Sequence, residues 1–389
     1  MEYEVFRFRD IATLINGRAY LMSELQDEGK YRIVRVGNFT GKDEWFYSDM
    51  ELDEDKYCHK GDLLYKWACT FGPEIWKEEK TIYHYHIWKV IPKAGFDKGF
   101  LYYYLKLHTP YWLGGTNGAT MVHITKSSME NKKVSFPSYE NQCEIADILS
   151  TYDELIENNN RRITLLEKAA QELYKEWFVR FRFPGYENAE FENGIPKGWK
   201  IKRLSDYGRV ETGKTPSTEI ADNYGEEYMF VKTPDMHGNV FTIHTSEYLS
   251  QQGHFTQPKK LLPFNSIMVS CIGTGGVVSI NAEQAHTNQQ INSIILKNPL
   301  FLEWLFFTCK SLKETIELFG ATGATMTNLS KGKFEKLKVI SPTESLVLLF
   351  HDKVNYIFEE IKSLMYQNRN LTKQRDLLLP RLMSGKLEV

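Results

Sequence analysis

Gly118-Ala119-Thr120-Met121-Val122-His123-Ile124-Thr125-Lys126 recurs 205 residues later as Gly323-Ala324-Thr325-Met326-Thr327-Asn328-Leu329-Ser330-Lys331. Four identities in a row are followed by like-for-like replacements. The same offset carries Val134 to Val339 and Pro137 to Pro342. Upstream the correspondence continues with the small shifts that loop insertions produce. Phe8-Arg9-Asp10-Ile11-Ala12, with Gly17, parallels Leu204-Ser205-Asp206-Tyr207-Gly208, with Gly213. Tyr31–Arg35 parallels Tyr228–Lys232, and Gly61–Tyr65 parallels Asn265–Val269. Solenoids and propellers repeat every 20–50 residues or so. A period this long is a domain plus its spacer, duplicated once, which predicts a pseudo-two-fold internal repeat.

Within each half the patterning is mixed. Short β-rich runs (Tyr31–Val36, Thr81–Ile91, Ile267–Ile272, Val277–Ile280) are broken by Gly and Asn turns, while Phe100–Leu107 and Phe301–Leu312 read as helices. The expectation is an α+β domain with a curved sheet, occurring twice.

Downstream of each motif the period changes. Apolar positions run Ile145, Leu149, Tyr152, Ile156, Asn159, Ile163, Leu166, Ala170, Leu173, Trp177, in alternating steps of four and three. That is a coiled-coil seam. The second copy gives Phe350, Val354, Ile357, Ile361, Leu364, Asn368, Leu371, Arg375, Leu378, and Pro380 is expected to end it. A helix from 141 to 177 would be roughly 55 Å long and cannot bury its stripe alone. Two such helices most economically pack on each other as an antiparallel coiled coil, with Asn159 and Asn368 fixing register. The other reading is that each packs on its own domain. The division expected along the chain is 1–139, a first domain; 140–183, a helical spacer; 184–344, a second domain; and 345–389, a second helix and tail.

Composition excludes several classes. At 389 residues, with 42% apolar and 25% charged side chains, the chain is ordinary globular material. No apolar run approaches the roughly 20 residues of a membrane span, the start lacks a signal-peptide pattern, and the five cysteines are scattered without a Cys-x-x-Cys pair; a reducing cytoplasm is expected. Net charge is −2; residues 1–139 hold 19 basic and 19 acidic side chains, and 184–344 hold 16 and 17. A free-standing nucleic-acid binder usually carries a basic excess. Basic groups clustered on one face, or partners supplying part of the phosphate grip, would reconcile this balance with DNA binding.

At this point the residues resemble a family. Leu173-Tyr174-Lys175-Glu176-Trp177-Phe178-Val179-Arg180-Phe181-Arg182-Phe183-Pro184-Gly185 leaves the first helix. Gly194-Ile195-Pro196-Lys197-Gly198-Trp199 enters the second half, and Gln374-Arg375-Asp376-Leu377-Leu378-Leu379-Pro380-Arg381-Leu382-Met383-Ser384-Gly385 closes the chain. With the two Gly-Ala-Thr-Met motifs, this resembles the specificity subunit of type I restriction–modification systems over essentially the whole length. The resemblance implies two target recognition domains, each reading one half of a bipartite, asymmetric site on double-stranded DNA. It implies helices that set the gap and dock two modification subunits. S-adenosylmethionine, ATP and magnesium would belong to those modification subunits and to restriction subunits, where present, and no cofactor to this chain.

The motifs agree with a chain that has no catalytic site. There is no Asn-Pro-Pro-Tyr/Phe or Asp-Pro-Pro-Tyr methyltransferase motif and no phosphate loop. Gly273-Thr274-Gly275-Gly276 precedes a strand, so it reads as a turn and not a dinucleotide loop. Its counterpart, Thr70-Phe71-Gly72, suggests a structural or DNA-facing loop. His84 and His86 lie two apart on an expected strand but lack a third metal ligand nearby, and no metal site is expected. Their counterpart stretch contains Asn288, Gln289 and Gln290, whose amides suit adenine edges in the major groove, or else the backbone. Arg35, Asn38 and Lys42 in one loop match Lys232, Asp235 and His237 in the other. Arg18 and Lys214 sit in matched basic turns suited to phosphate. Lys126 and Lys331 are matched too and read as scaffold or backbone contacts, since readers of different half-sites should differ. Two rival readings remain: a stand-alone DNA-modifying enzyme of duplicated domains, and a coiled-coil scaffold with no nucleic-acid role.

Overall fold

The computed structural model describes residues 2–41, 44–114, 124–320 and 327–389. The identical parts of the two motifs, Gly118–Met121 and Gly323–Met326, lie outside the described residues, as does Lys42. The chain forms two compact units, Met1–Ile156 with Asn370–Val389 and Glu157–Arg369. The four segments expected along the chain are thus regrouped: each unit takes one globular part and about half of each long helix.

In the first unit, strands Ala12–Asn16, Ile87–Pro92, Leu63–Ala68 and Thr70–Ile75 lie side by side in that order, all antiparallel. A second sheet runs Phe46–Ser48, Tyr31–Val34, Thr81–Tyr83, Tyr57–Cys58, with its middle pair parallel. The strands Glu4–Arg7 and Lys133–Phe136 form a separate antiparallel ribbon. The second unit has the same order of pairing. Its first sheet runs Gly208–Thr212, Ile291–Leu296, Ile267–Ser270, Val278–Asn281, Phe241–Thr242. Its second runs Glu247–Leu249, Tyr224–Val231, Ala285–Thr287, again with one parallel pair, and its ribbon is Lys200–Arg203 with Lys338–Ser341.

One expected strand divides. Thr81–Ile91 is two strands, Thr81–Tyr83 and Ile87–Pro92, because the Ile87 amide turns back to the His84 carbonyl at 2.9 Å. The break lets one strand join a parallel pair and the next an antiparallel sheet.

The long helices run Tyr139–Tyr174 and Glu344–Met383. Pro380 does not end the second. The helix continues to Met383, and Gly385, at φ +68°, follows its end. One lost amide donor is tolerated because Leu379, Leu382 and Met383 bury the turn. The seam residues are not spent on helix pairing alone. In the first unit Ile145 and Leu149 are fully buried among Phe100, Leu101 and Phe136, with Leu379 and Leu382 in the same core. In the second, Phe350, Val354, Ile357 and Ile361 share a core with Trp304, Phe306, Phe307, Ala170 and Tyr174, and Ile163 and Leu166 pack against it. Leu364 is buried, while Tyr152, Ile156 and Leu371 are half-buried. Within each unit, residues of the long helices and of the globular part form one apolar cluster.

In the second unit, the Asn159 amide donates to Asn368 Oδ1 at 3.0 Å, Asn368 donates to Asn160 at 2.8 Å, and Arg162 donates to Glu360 at 2.5 Å. Numbers rise on one helix as they fall on the other, so these stretches run antiparallel. In the first unit Arg375 pairs with Asp153, whose other oxygen accepts from Tyr103 at 2.6 Å. Among the described residues no helix is long and apolar enough to cross a membrane.

Candidate nucleic-acid interface

The candidate residues gather around a chain corner that both units build with the same bonds. In the first unit the Gly17 amide donates to the Ile87 carbonyl at 3.2 Å, Arg18 to Tyr83 at 3.1 Å, and His84 to Val34 at 3.0 Å. In the second, Gly213 donates to Ile291 at 3.2 Å, Lys214 to Thr287 at 2.9 Å, and Asn288 to Val231 at 3.1 Å. Glycine is required at both crossings. A Cβ on Gly17 would lie 2.2 Å from the Tyr83 oxygen, and one on Gly213 2.2 Å from the Thr287 and Asn288 oxygens. The neighbouring turn is matched as well: Asn38 Oδ1 accepts from the Arg35 amide at 2.9 Å, and Asp235 Oδ2 from the Lys232 amide at 2.8 Å.

On this shared frame the side chains differ. The first corner is His84-Tyr85-His86. Tyr85 and His86 rings are 3.8 Å apart, Trp67 meets His86 edge-on at 5.2 Å, and the Trp67 indole donates to the Tyr85 carbonyl at 2.8 Å. Of these, His84 and His86 join Arg35, Asn38, Thr40, Cys69 and Thr70 around a cleft of about 430 Å³. Burial, then the nearby His86 and Arg35, holds His84 down to about 4; burial and Arg35 also lower His86. At neutral pH both rings are uncharged, and each can donate and accept one hydrogen bond. Among the described residues the buried Thr70 hydroxyl has no hydrogen-bond partner. The Arg35 guanidinium lies 5.1 Å from the Phe46 ring and has no ion pair among the described residues.

The second corner is Asn288-Gln289-Gln290. Asn288 donates to Gln290 Oε1 at 3.1 Å and accepts from the Gln290 amide at 3.1 Å, and Thr215 donates to Gln289 at 2.6 Å. Lys232, the counterpart of Arg35, is paired with Glu247. One corner thus offers a cation with no ion pair among the described residues, beside aromatic edges, and the other offers side-chain amides beside a paired cation.

The structure brings Arg35, Asn38 and Thr70 together in the first unit, and Lys232, Asp235, Asn288 and Gln290 in the second. It assigns several of them structural work. Asn38 bonds the backbone with both amide atoms, the second to the Glu44 carbonyl at 2.9 Å. Both Asp235 oxygens accept backbone amides, the second from Ser246 at 2.9 Å. Arg18 is tied to Glu24 at 2.6 Å over the Tyr20 ring, whereas Lys214, its counterpart, is exposed. His237 and Thr274 are exposed, and the Gly273–Gly276 run is a turn between strands. Lys126 and Lys331 make the same helical pair, with Glu130 and Glu335, each at 3.8 Å. His84, Tyr85 and His86 were missing from the sequence-derived candidates as DNA readers. The signal is their alignment with the Asn288–Gln290 stretch, which a strand reading of His84–His86 obscures. Among the described residues no three His, Cys, Asp or Glu side chains converge as metal ligands would.

The family model of the type I restriction modification DNA specificity domain matches residues 1–168 and 196–345. The chain belongs to the type I restriction–modification specificity family. DNA sequence recognition is accordingly its role, which removes the scaffold reading. The HindI specificity subunit of Haemophilus influenzae is 33% identical over 334 residues, covering 70% of this chain and 72% of its own length. The MjaIX specificity subunit of Methanocaldococcus jannaschii is 31% identical over 315 residues, covering 77% and 71%. The S subunit of the type I restriction–modification system of M. genitalium superposes with a TM-score of 0.61 over 98% of this chain and 96% of its own, at 15% identity. That likeness is one of fold, extending over both units of this specificity-family chain.

Proposed function

We propose that each unit reads one half of a bipartite, asymmetric DNA site, and that the His84–His86 and Asn288–Gln290 corners, with Arg35 and Lys232 beside them, carry the difference between the half-sites. The observation behind this is one backbone corner with two sets of side chains. A reader of duplicated origin needs a constant frame and variable base-facing groups. The two halves are an internal duplication. Their long helices pair as an antiparallel coiled coil that sets the spacing and docks two modification subunits. Methyl transfer from S-adenosylmethionine, and ATP- and magnesium-dependent cleavage where restriction subunits are present, belong to those partners. The chain itself is a non-catalytic, cytoplasmic targeting subunit. The Asn159–Asn368 pair supports this reading as a register device, as does the shared order of strands.

The test is to map methylated adenines genome-wide in cells carrying the chain with His84→Asn, Tyr85→Gln and His86→Gln together. One half-site should change while the other half-site and the gap stay. An unchanged motif, or two altered half-sites, would overturn the assignment. Purified chain that methylates or cleaves DNA unaided would overturn the targeting role.

A further inference from the structure

The two-stranded ribbon that leads into each long helix carries an arrangement with no internal explanation. In the first unit Arg7 lies directly opposite Lys133, and Val5 opposite Ser135. In the second, Arg203 lies opposite Lys338, and Ile201 opposite Ile340. Residues directly opposite in an antiparallel pair share a face, so each ribbon shows the same outer face: a pair of cations beside an exposed β-branched residue. All four cations are exposed, and Val5 and Ile201 are 66% and 65% exposed. Like charges directly opposite destabilise a sheet. Among the described residues no carboxylate makes an ion pair with any of the four. Asp10 and Asp206, three residues on from Arg7 and Arg203, accept from their backbone amides at 3.1 and 2.8 Å. Arg7 reaches only the neutral Asn131 oxygen, at 3.0 Å.

From this we infer that the two ribbons are matched docking surfaces for one protein partner, a copy on each unit, presenting carboxylates around a small apolar patch. Matching argues against sequence reading, which must differ between the units. The apolar half argues for a protein over DNA phosphates, which would pair with the cations and leave Val5, Ile201 and Ile340 uncovered. The inference rests on the proposed role as a subunit that docks two modification subunits, and it places part of that contact on the ribbons.

The test uses the full chain co-expressed with the modification subunit of its own restriction–modification system. Lys133→Glu and Lys338→Glu are made singly and together, and stoichiometry is read by native mass spectrometry. Each substitution replaces a like-charge pair with an attractive one, so thermal stability should hold or rise slightly. Each single variant should bind one of its two partner copies at least about tenfold more weakly, and the double variant should weaken both. Wild-type stoichiometry and affinity in all variants would overturn the inference while leaving the docking role intact. Intact assembly with weakened DNA binding and a shallower salt dependence would assign the ribbons to phosphate instead. A wild-type chain that captures no modification subunit would remove the docking role and the inference together.

Discussion

The corners at His84–His86 and Asn288–Gln290 are held by equivalent amide–carbonyl bonds and by a glycine in the same place, yet they share no side chain. Among the described residues the cation beside one has no ion pair, and the cation beside the other is paired with Glu247. The lesson is a division of labour. Main-chain bonds and a missing Cβ build both corners, so most side chains there are free of that duty; Asn288, whose Oδ1 accepts the Gln290 amide, is the exception. Asn38 and Asp235, polar and nearby, are not free in this way, because each fastens the turn next to the corner.

Acidification should have the largest effect, because it acts on both units. His84 and His286 are each held down to about 4, chiefly by burial, with His86 and Arg35 adding to the first and His254 to the second. Their folded-state values lie below the unfolded one, so the unfolded chain binds more protons between them. Stability from these rings is complete above about pH 6.5. It falls as pH drops toward 4. Urea midpoints taken across that window should show the loss, and His84→Asn with His286→Gln should flatten it. An unchanged slope in the double variant would contradict neutral buried rings.

Gly17→Ala and Gly213→Ala come next. Each drives a methyl group into carbonyl oxygens and should cost about 2–4 kcal/mol, by a similar amount in the two units. Chemical denaturation checks this, and a silent substitution in either unit would break the equivalence of the corners. Smaller still is Asn159→Ala, about 1–3 kcal/mol, because it strands the partner amide; Asn159→Leu with Asn368→Leu should recover most of the loss. Failure of the double variant to recover would mean that the pair does more than satisfy itself. Lys126→Ala and Lys331→Ala should each change stability by no more than about 0.5 kcal/mol, as exposed helical ion pairs do. A larger change in melting temperature for one of them alone would show that the matched lysines have diverged.

Much of this was legible in the chain because it depends on local chemistry. The offset of 205 residues relates the two motifs, the four–three spacing marks the helices, and Gly17 and Gly213 align from sequence alone. Other features resisted. Thr81–Ile91 has strand composition throughout, and only its pairing with two different sheets forces the turn at His84–His86. Pro380 looks like a helix end until the burial of Leu379, Leu382 and Met383 is known. The seam from Ile145 to Leu378 has a periodicity that fits a partner helix and a domain core equally, since both demand only an apolar stripe.

The amino-acid order by itself therefore determined the recurring motif, the long helices and the family, because motifs and period are properties of neighbours along the chain. Tertiary structure alone decided which polar candidates remain available for DNA. Whether Asn38, Asp235 or Arg18 points to a ligand depends on which distant amide or carboxylate reaches it first, and that competition is settled only when the chain has folded.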